Sequence, residues 1–366
     1  MLLIVFLQIF LALSSATRIP REFSRLGLHF NSQLGCADNP HSNLLLSIVV
    51  TTTNTAPADQ IQRLQFQIEN IFHFTQKYDL VRKVEYIIVE YNFNPHNASL
   101  RSMLRLQEYM PIVRIIRVDP DAHRIITSQM GVPFPLSFLE FYAKNIGIRR
   151  ACSPFILPTN SDVLFSEGFW YFVRHGHLKN SSYYRIPRCN SNGDLSILKE
   201  ADSEQRLQHV KERLTDCWWC EDPRMSWEAY VSKPYAEMNV SDTRDRQYMS
   251  CIQAPGDFLI LSKTMFFAFR GYPDVALPHQ IDDLPVWMAT AAGLLLSVPP
   301  PPAVVYHVNH DRPYKNSDGR WSHAHEMVDT YRLDALSGEA IHKKQLEVYN
   351  GEDWGFAGWE FEENVF

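Results

Sequence analysis

The sequence predicts an α/β protein built on a mostly parallel sheet with helices on both faces. Three observations carry that expectation. Apolar, β-branched runs recur at Leu44–Thr51, Val84–Tyr91 and Pro111–Val118, and continuous rather than alternating hydrophobicity marks strands buried on both faces. Segments of helical period separate them, above all Asp59–Tyr78, where Ile61, Leu64, Ile68, Ile71 and Phe72 recur on one face. A strand–helix–strand order with crossovers of this length selects parallel pairing.

The later elements follow in the same order. Ser99–Tyr109 suits a helix before the third strand. Ser137–Arg150 suits another, Pro154–Pro158 a fourth strand, and Ser166–Arg174 a further helix. Between Asn190 and Ala254 the pattern weakens. Glu204–Leu214 fits a helix capped by Ser203, and the rest is polar and rich in Cys and Trp. That stretch is expected to be an insertion standing over the sheet end. Regular patterning returns at Gly256–Ser262, then in a helix through Arg270, a helix over Ile281–Leu295 and a strand at Ala303–Val308. In open parallel sheets ligands bind beyond the carboxyl ends of the strands. Thr51–Asn54, Glu90–Asn94 and Thr159–Asp162 are therefore the segments where chemistry is expected.

Composition bounds the class. The 366 residues are 45% hydrophobic and 21% charged, which excludes a disordered chain and suffices for a full core. A net charge of −6 without a Lys/Arg run argues against nucleic acid as a partner. Met1–Leu13 is apolar except for Gln8, and Ser14, Ser15 and Ala16 follow. This reads as a secretory signal cleaved near Ala16, with a short uncleaved anchor as the alternative. The run is shorter than the roughly 20 residues that span a bilayer. Sequons at Asn97, Asn180 and Asn239 and six cysteines (Cys36, Cys152, Cys189, Cys217, Cys220, Cys251) agree with an oxidising lumen. The expected location is the ER or Golgi lumen or the cell exterior. Cys217-Trp-Trp-Cys220 has redox-motif spacing, but Asp222-Pro223 follows at once. A structural bridge is expected instead, with free or differently paired thiols as the alternative.

The most informative segment is Phe155-Ile-Leu-Pro-Thr-Asn160-Ser-Asp162-Val-Leu-Phe165. An apolar strand enters a short polar step and leaves into a second apolar step. A carboxylate there, Asp162, can hold a divalent cation, and such a cation can neutralise a diphosphate leaving group. Ser166 fits the N-cap of the next helix better than Asp162 does.

These residues resemble the core of GT-A nucleotide-sugar glycosyltransferases of the family 2-like group. Asn145-Ile-Gly-Ile-Arg-Arg-Ala151 followed by Phe155–Asp162 resembles the "N-x-G-x-x-x-A … strand … D-x-D" pattern. Further matches run in order: Ser47–Thr51, Val89–Asn92, Gly256-Asp257-Phe258 with Arg270-Gly-Tyr-Pro273, Ile281-Asp282-Asp283, Tyr306-His307-x-x-His310, and Glu352-Asp-Trp-Gly355. The resemblance spans roughly residues 44 to 356. The sequence departs from it at Asn160, an amide where the family has an acid, and amides are poorer cation ligands.

The resemblance implies sugar transfer from a nucleotide-sugar donor to a glycan, protein or lipid hydroxyl, inverting and metal-assisted. Asp162, His307 and His310 would hold Mn2+ or Mg2+. Asp282, with Asp283 as alternate, would take the acceptor proton, since an alcohol is a poor nucleophile until deprotonated. Thr51, Glu90, Asn145, Asn160 and Asp257 would orient the donor. The chain divides accordingly into 1–16 (signal or anchor), 17–43 (lead), 44–189 (donor-binding half), 190–255 (insertion) and 256–366 (acceptor and catalytic half with tail). A non-catalytic binding protein on a degenerate form of this fold is the competing expectation. Asp282 and Asp283 can also simply open a helix, where carboxylates complement its dipole.

Overall fold

The computed structural model describes residues 43–106, 113–130, 137–193, 201–218, 257–274, 281–310, 346 and 348–365. Strand β1 (Leu46–Thr52) is buried at every position. It pairs in parallel with β2 (Val84–Tyr91) on one side and with β4 (Phe155–Pro158) on the other. Beyond β2 lies β3 (Val113–Val118), also parallel. Two antiparallel edges, β12 (Glu362–Val365) on β3 and β9 (Leu261–Ser262) on β4, complete the sheet in the order β12-β3-β2-β1-β4-β9. The expected α/β class with a mostly parallel sheet is what forms.

Helix α1 (Ala58–Lys77) links β1 to β2, the short α2 (Leu100–Met103) precedes β3, and α3 (Pro120–Met130) and α4 (Glu140–Arg150) return the chain to β4. Successive strand residues face opposite ways, so each strand feeds two cores. Ile48, Val50, Tyr86, Ile88 and Ile115 pack with Leu64, Ile68 and Ile71 of α1. Val49, Ile87, Val89 and Ile116 pack with Phe141, Ala143 and Ile146 of α4. Gly147 lets α4 lie against β1 and β2, because a Cβ there would overlap the Val49 side chain and touch Val89 Cγ2 at 3.0 Å.

A second sheet holds β5 (Val163–Phe165), β7 (Arg188–Ser191), β8 (Leu214–Trp218) and β11 (Val305–Val308), in the order β5-β11-β7-β8. β11 runs antiparallel to β5 and parallel to β7. Cys189 on β7 faces Cys217 on β8, and the two form a disulfide. Cys217 thus pairs across the sheet and not within its own Cys-x-x-Cys. A pair of short parallel strands, β6 (Ser182–Tyr184) and β10 (Leu295–Ser297), and helices α5 (Glu167–Arg174), α6 (Ser203–Lys211), α7 (Lys263–Phe269) and α8 (Leu284–Ala291) make up the remainder.

Several elements differ from expectation. The helix expected over Ser99–Tyr109 ends at Met103, where Leu104 turns extended; residues 107–112 lie outside the described ones. Helix α3 follows β3 directly and has Pro120 as its first residue, where a missing N–H costs nothing. Asp202, not Ser203, caps α6, through a reciprocal box with Gln205. The late strand forms as β11 and joins the second sheet, antiparallel to β5. The leader and lead (1–42), Cys36, Asn239, Cys220, Cys251 and much of 190–255 lie outside the described residues. Among the described residues no helix is long and apolar enough to cross a membrane.

Candidate active site

The chain departs from β1 toward β2 and β3 on one side and returns to β4 on the other. The connections therefore diverge between the carboxyl ends of β1 and β4, the switch point at which open parallel sheets place their ligand crevice. Thr51 and Thr52 close β1 there, with Thr51 only 8% exposed. On the β4 side Thr159 donates from N to Val49 O (2.9 Å) and from Oγ1 to Asp257 O (2.6 Å). The polar step that follows is clamped from beneath by Gln67 of α1. Its Nε2 donates to Asn160 O (2.8 Å) and to Val163 O (2.7 Å), and its Oε1 accepts from Tyr86 (2.5 Å). A single buried amide thus fixes both flanks of Asp162.

The Asp162 side chain meets two imidazoles from the second sheet. His307 lies opposite Val163 in the β5–β11 ladder, and Val308 N donates to Asp162 O (3.0 Å). Pairing at this register carries His307 Nε2 to 3.4 Å, and His310 Nε2 to 2.8 Å, from Asp162 Oδ2. The other oxygen, Oδ1, is buried and makes no hydrogen bond. Burial works to raise the pKa of this carboxyl, but the two histidines overcome it and hold Asp162 well below the usual carboxylate range. One ligand atom from each of the three residues lies within 4.8 Å of the others. The three can hold a metal ion. An anionic, orphaned oxygen beside two imidazole nitrogens is the donor chemistry such an ion requires.

Asn160 is turned toward the interior. Its Oδ1 accepts from Lys144 Nζ at 2.9 Å, and that ammonium, 1% exposed, also bonds Glu140 Oε1 at 2.6 Å. Lys144 acts electrostatically on Asp282 as well, together with Arg185, which is 1% exposed and donates to Phe258 O (3.0 Å). Burial pushes the Asp282 carboxyl up, and Lys144 and Arg185 offset part of that rise. Asp283 caps α8 by position, without a side-chain cap bond, and accepts Trp287 N at its carbonyl (3.0 Å). Asp257 is anchored by Arg188 Nη1 at 2.7 Å, while its Oδ1 is buried without a partner.

Two expected donor-binding residues are committed elsewhere. Glu90 is fully buried; it accepts from Arg117 Nε (2.8 Å) and from Leu100 N (3.0 Å), so it ties β2 to β3 and α2. Asn145 is fully buried too. It donates to Tyr272 O (2.7 Å) and Asp274 Oδ1 (2.8 Å) and accepts from Tyr272 N (2.8 Å). It is the joint that holds the Gly271–Asp274 turn against α4. Gly271, at φ 73°, is the residue this contact demands, since a Cβ would overlap Asn145 Oδ1. Both side chains are fully buried and hydrogen-bonded within the protein.

Sequence reasoning missed Gln67, Lys144, Arg185 and Asp274. Lys144 precedes Asn145 and resembles an ordinary solvated helix residue; its signal was an i, i+4 partner in Glu140. Asp274 follows the Gly-Tyr-Pro turn, and burial with help from Asp353 pushes its carboxyl up to about 7.

No family model matches the chain, and no curated protein matches it. Among solved structures it is similar to S. aureus TarS 1–349 in complex with UDP-GlcNAc, with TM-score 0.46 and 13% identity over 81% of this chain and 66% of that one. For TarS 1–349 in complex with UDP the values are 0.41 and 12%, over 73% and 61%. For S. aureus TarS they are 0.43 and 13%, over 73% and 37%. The chain thus spans less than two thirds of the length of these structures.

Proposed function

We propose that the chain is a GT-A-type, family 2-like glycosyltransferase that moves a sugar, with inversion, from a nucleotide-sugar donor to a hydroxyl acceptor on a glycan, protein or lipid. The observation that carries this is the orphaned Asp162 oxygen, flanked by His307 and His310 at the carboxyl end of β4 where the sheet order reverses. A divalent ion held by these three residues would supply counter-charge to a departing diphosphate. Two imidazole donors favour Mn2+ or Zn2+ over Mg2+, which prefers an all-oxygen shell.

The remaining roles belong to the chain itself. Asp282 takes the proton of the acceptor hydroxyl as its oxygen attacks the anomeric carbon, and the bond to the nucleoside diphosphate breaks on the opposite face. A carboxyl raised by burial is a better base near neutral pH than an exposed one. One base suffices for a single displacement. Lys144 and Arg185 act against that rise and favour the ionised form of Asp282. Thr51 and Asp257, both buried near the carboxyl ends of β1 and β4, would orient base and sugar together with Asn160, which accepts from Lys144.

The same reading carries the proposal that the protein enters the secretory pathway. Asn97 and Asn180, the two described sequon asparagines, are both exposed, as glycan acceptors must be. Enzymatic deglycosylation is expected to shift the gel mobility of protein from a eukaryotic secretory host.

A second reading, a binding protein without turnover, is favoured by Glu90 and Asn145 being spent inside the protein and Asn160 on Lys144. Incubating the full chain with UDP- and GDP-sugars and Mn2+ separates the two. Release of nucleoside diphosphate, abolished in Asp282→Asn, supports transfer. Donor binding with no release under any acceptor supports the binding protein.

A further inference from the structure

A cavity of about 480 Å3 opens between α5, the end of α6 and the Pro300–Pro302 turn, within the range of about 300–1,000 Å3 typical of small-molecule sites. It is distinct from the Asp162 cluster. Tyr306 lines it, and its neighbour His307 reaches Asp162. Successive residues of a strand point to opposite faces, so the second sheet stands between the two sites.

The lining mixes aromatic faces with polar groups. Tyr171 leaves a large ring 54% exposed on a helix whose Phe169, Trp170 and Phe172 are buried. That ring is held in orientation, edge-on to Tyr78 at 6.4 Å and against His175 at 4.1 Å between centroids. Beside it Glu167 accepts from Tyr78 at 2.8 Å and pairs with Lys77 at 2.9 Å, and Lys211 also lines the cavity.

We propose that this cavity holds a short neutral oligosaccharide, as a chain-anchoring subsite apart from the crevice. A pyranose offers an apolar C–H face that stacks on an aromatic ring and an edge of hydroxyls that bond carboxylate, ammonium and phenol groups. This wall supplies both kinds of surface. A nucleotide or other anion gains little, because Lys77 is spent on Glu167 and one ammonium remains. A lipid tail would leave Glu167 and Lys211 facing hydrocarbon. A proline-rich peptide needs the aromatic wall free for its rings, and the chain's own Pro300–Pro302 already borders it. The purpose of the subsite rests on the glycosyl-transfer reading; its existence does not.

The test is calorimetric titration of the full chain with chitotriose, maltotriose and mannotriose, with decaproline as the peptide probe. At least one trisaccharide is expected to bind. Tyr171→Ala is expected to weaken it about tenfold or more, and Tyr171→Phe, which keeps the ring, by less than about threefold. Because Tyr171 is half exposed, the melting temperature of both variants should match the wild type. The proposal is overturned if no trisaccharide binds, if Tyr171→Ala binds like wild type, or if only decaproline binds. UDP is titrated into the wild type in parallel. Trisaccharide binding without UDP binding would refute the functional reading and leave the subsite standing.

Discussion

Replacing Asp274 with Asn is expected to stabilise the protein and flatten its dependence on pH. Asp274 sits in the turn gripped by Asn145, which donates to its Oδ1, and Asn350 Oδ1 accepts from its backbone N. Burial, reinforced by the Asp353 charge, raises its carboxyl to about 7 in the folded protein, whereas in an unfolded chain it titrates near 3.9. An acid raised on folding is best tolerated when protonated in both states. Between about pH 4 and pH 7 the unfolded chain releases this proton while the folded one keeps it, so stability falls as pH rises. Above about pH 7 the loss is complete. Three units correspond to about 4 kcal/mol, of which about 3 kcal/mol is lost between pH 5 and pH 8. Against a typical total of about 5–15 kcal/mol that is a large share. Asn keeps an oxygen to accept from Asn145 and carries no charge. Urea unfolding at pH 5, 6, 7 and 8 measures the effect. The wild type should lose stability over this range by an amount that Asp274→Asn largely removes. Equal pH profiles for the two proteins would refute the argument.

Glu90→Gln is expected to lower stability by about 3 kcal/mol, because it removes the buried charge that Arg117 pairs with and leaves the exposed Glu362 and the Phe93 ring; UDP affinity, measured by calorimetry, should stay within about twofold. Gly147→Ala should cost about 1–3 kcal/mol through overlap with Val49 and Val89, read as a lower urea midpoint. Asp282→Asn should reduce turnover by about two to four orders of magnitude with little change in donor affinity, since the base acts mainly in the transition state; Asp283→Asn should do less.

How much of this was legible in the sequence depends on what each residue does. The buried strands were, because Ile48–Val50 of β1 and Tyr86–Val89 of β2 are unbroken apolar runs, and a sheet covered on both faces requires such runs. The pairing of Asp162 with His307 and His310 was also legible, through the order of the motifs. The internal duties of Glu90 and Asn145 were not. A carboxylate at a strand end looks the same whether it faces a ligand or an arginine on the next strand, and only the β2–β3 register brings Arg117 to Glu90. Lys144 was invisible for the opposite reason. A lysine in a helix is ordinarily solvated, and nothing local says that Asn160 and Glu140 will bury it. The capping of α6 by Asp202 turned on one residue of helix phase, below what periodicity resolves.

Asp162 is the residue whose loss tests nucleotide-sugar binding most directly. Calorimetric titration of UDP and GDP into the full chain, with Mn2+ and with chelator, compares the wild type with Asp162→Asn. The expected result is that one nucleotide binds the wild type, that chelator weakens the binding strongly, and that Asp162→Asn weakens it about a hundredfold even with metal present, the scale of losing one such electrostatic contact. Nucleotide binding of equal strength in the two proteins, or its absence in the wild type under both conditions, would contradict the assignment of this crevice to a nucleotide-sugar.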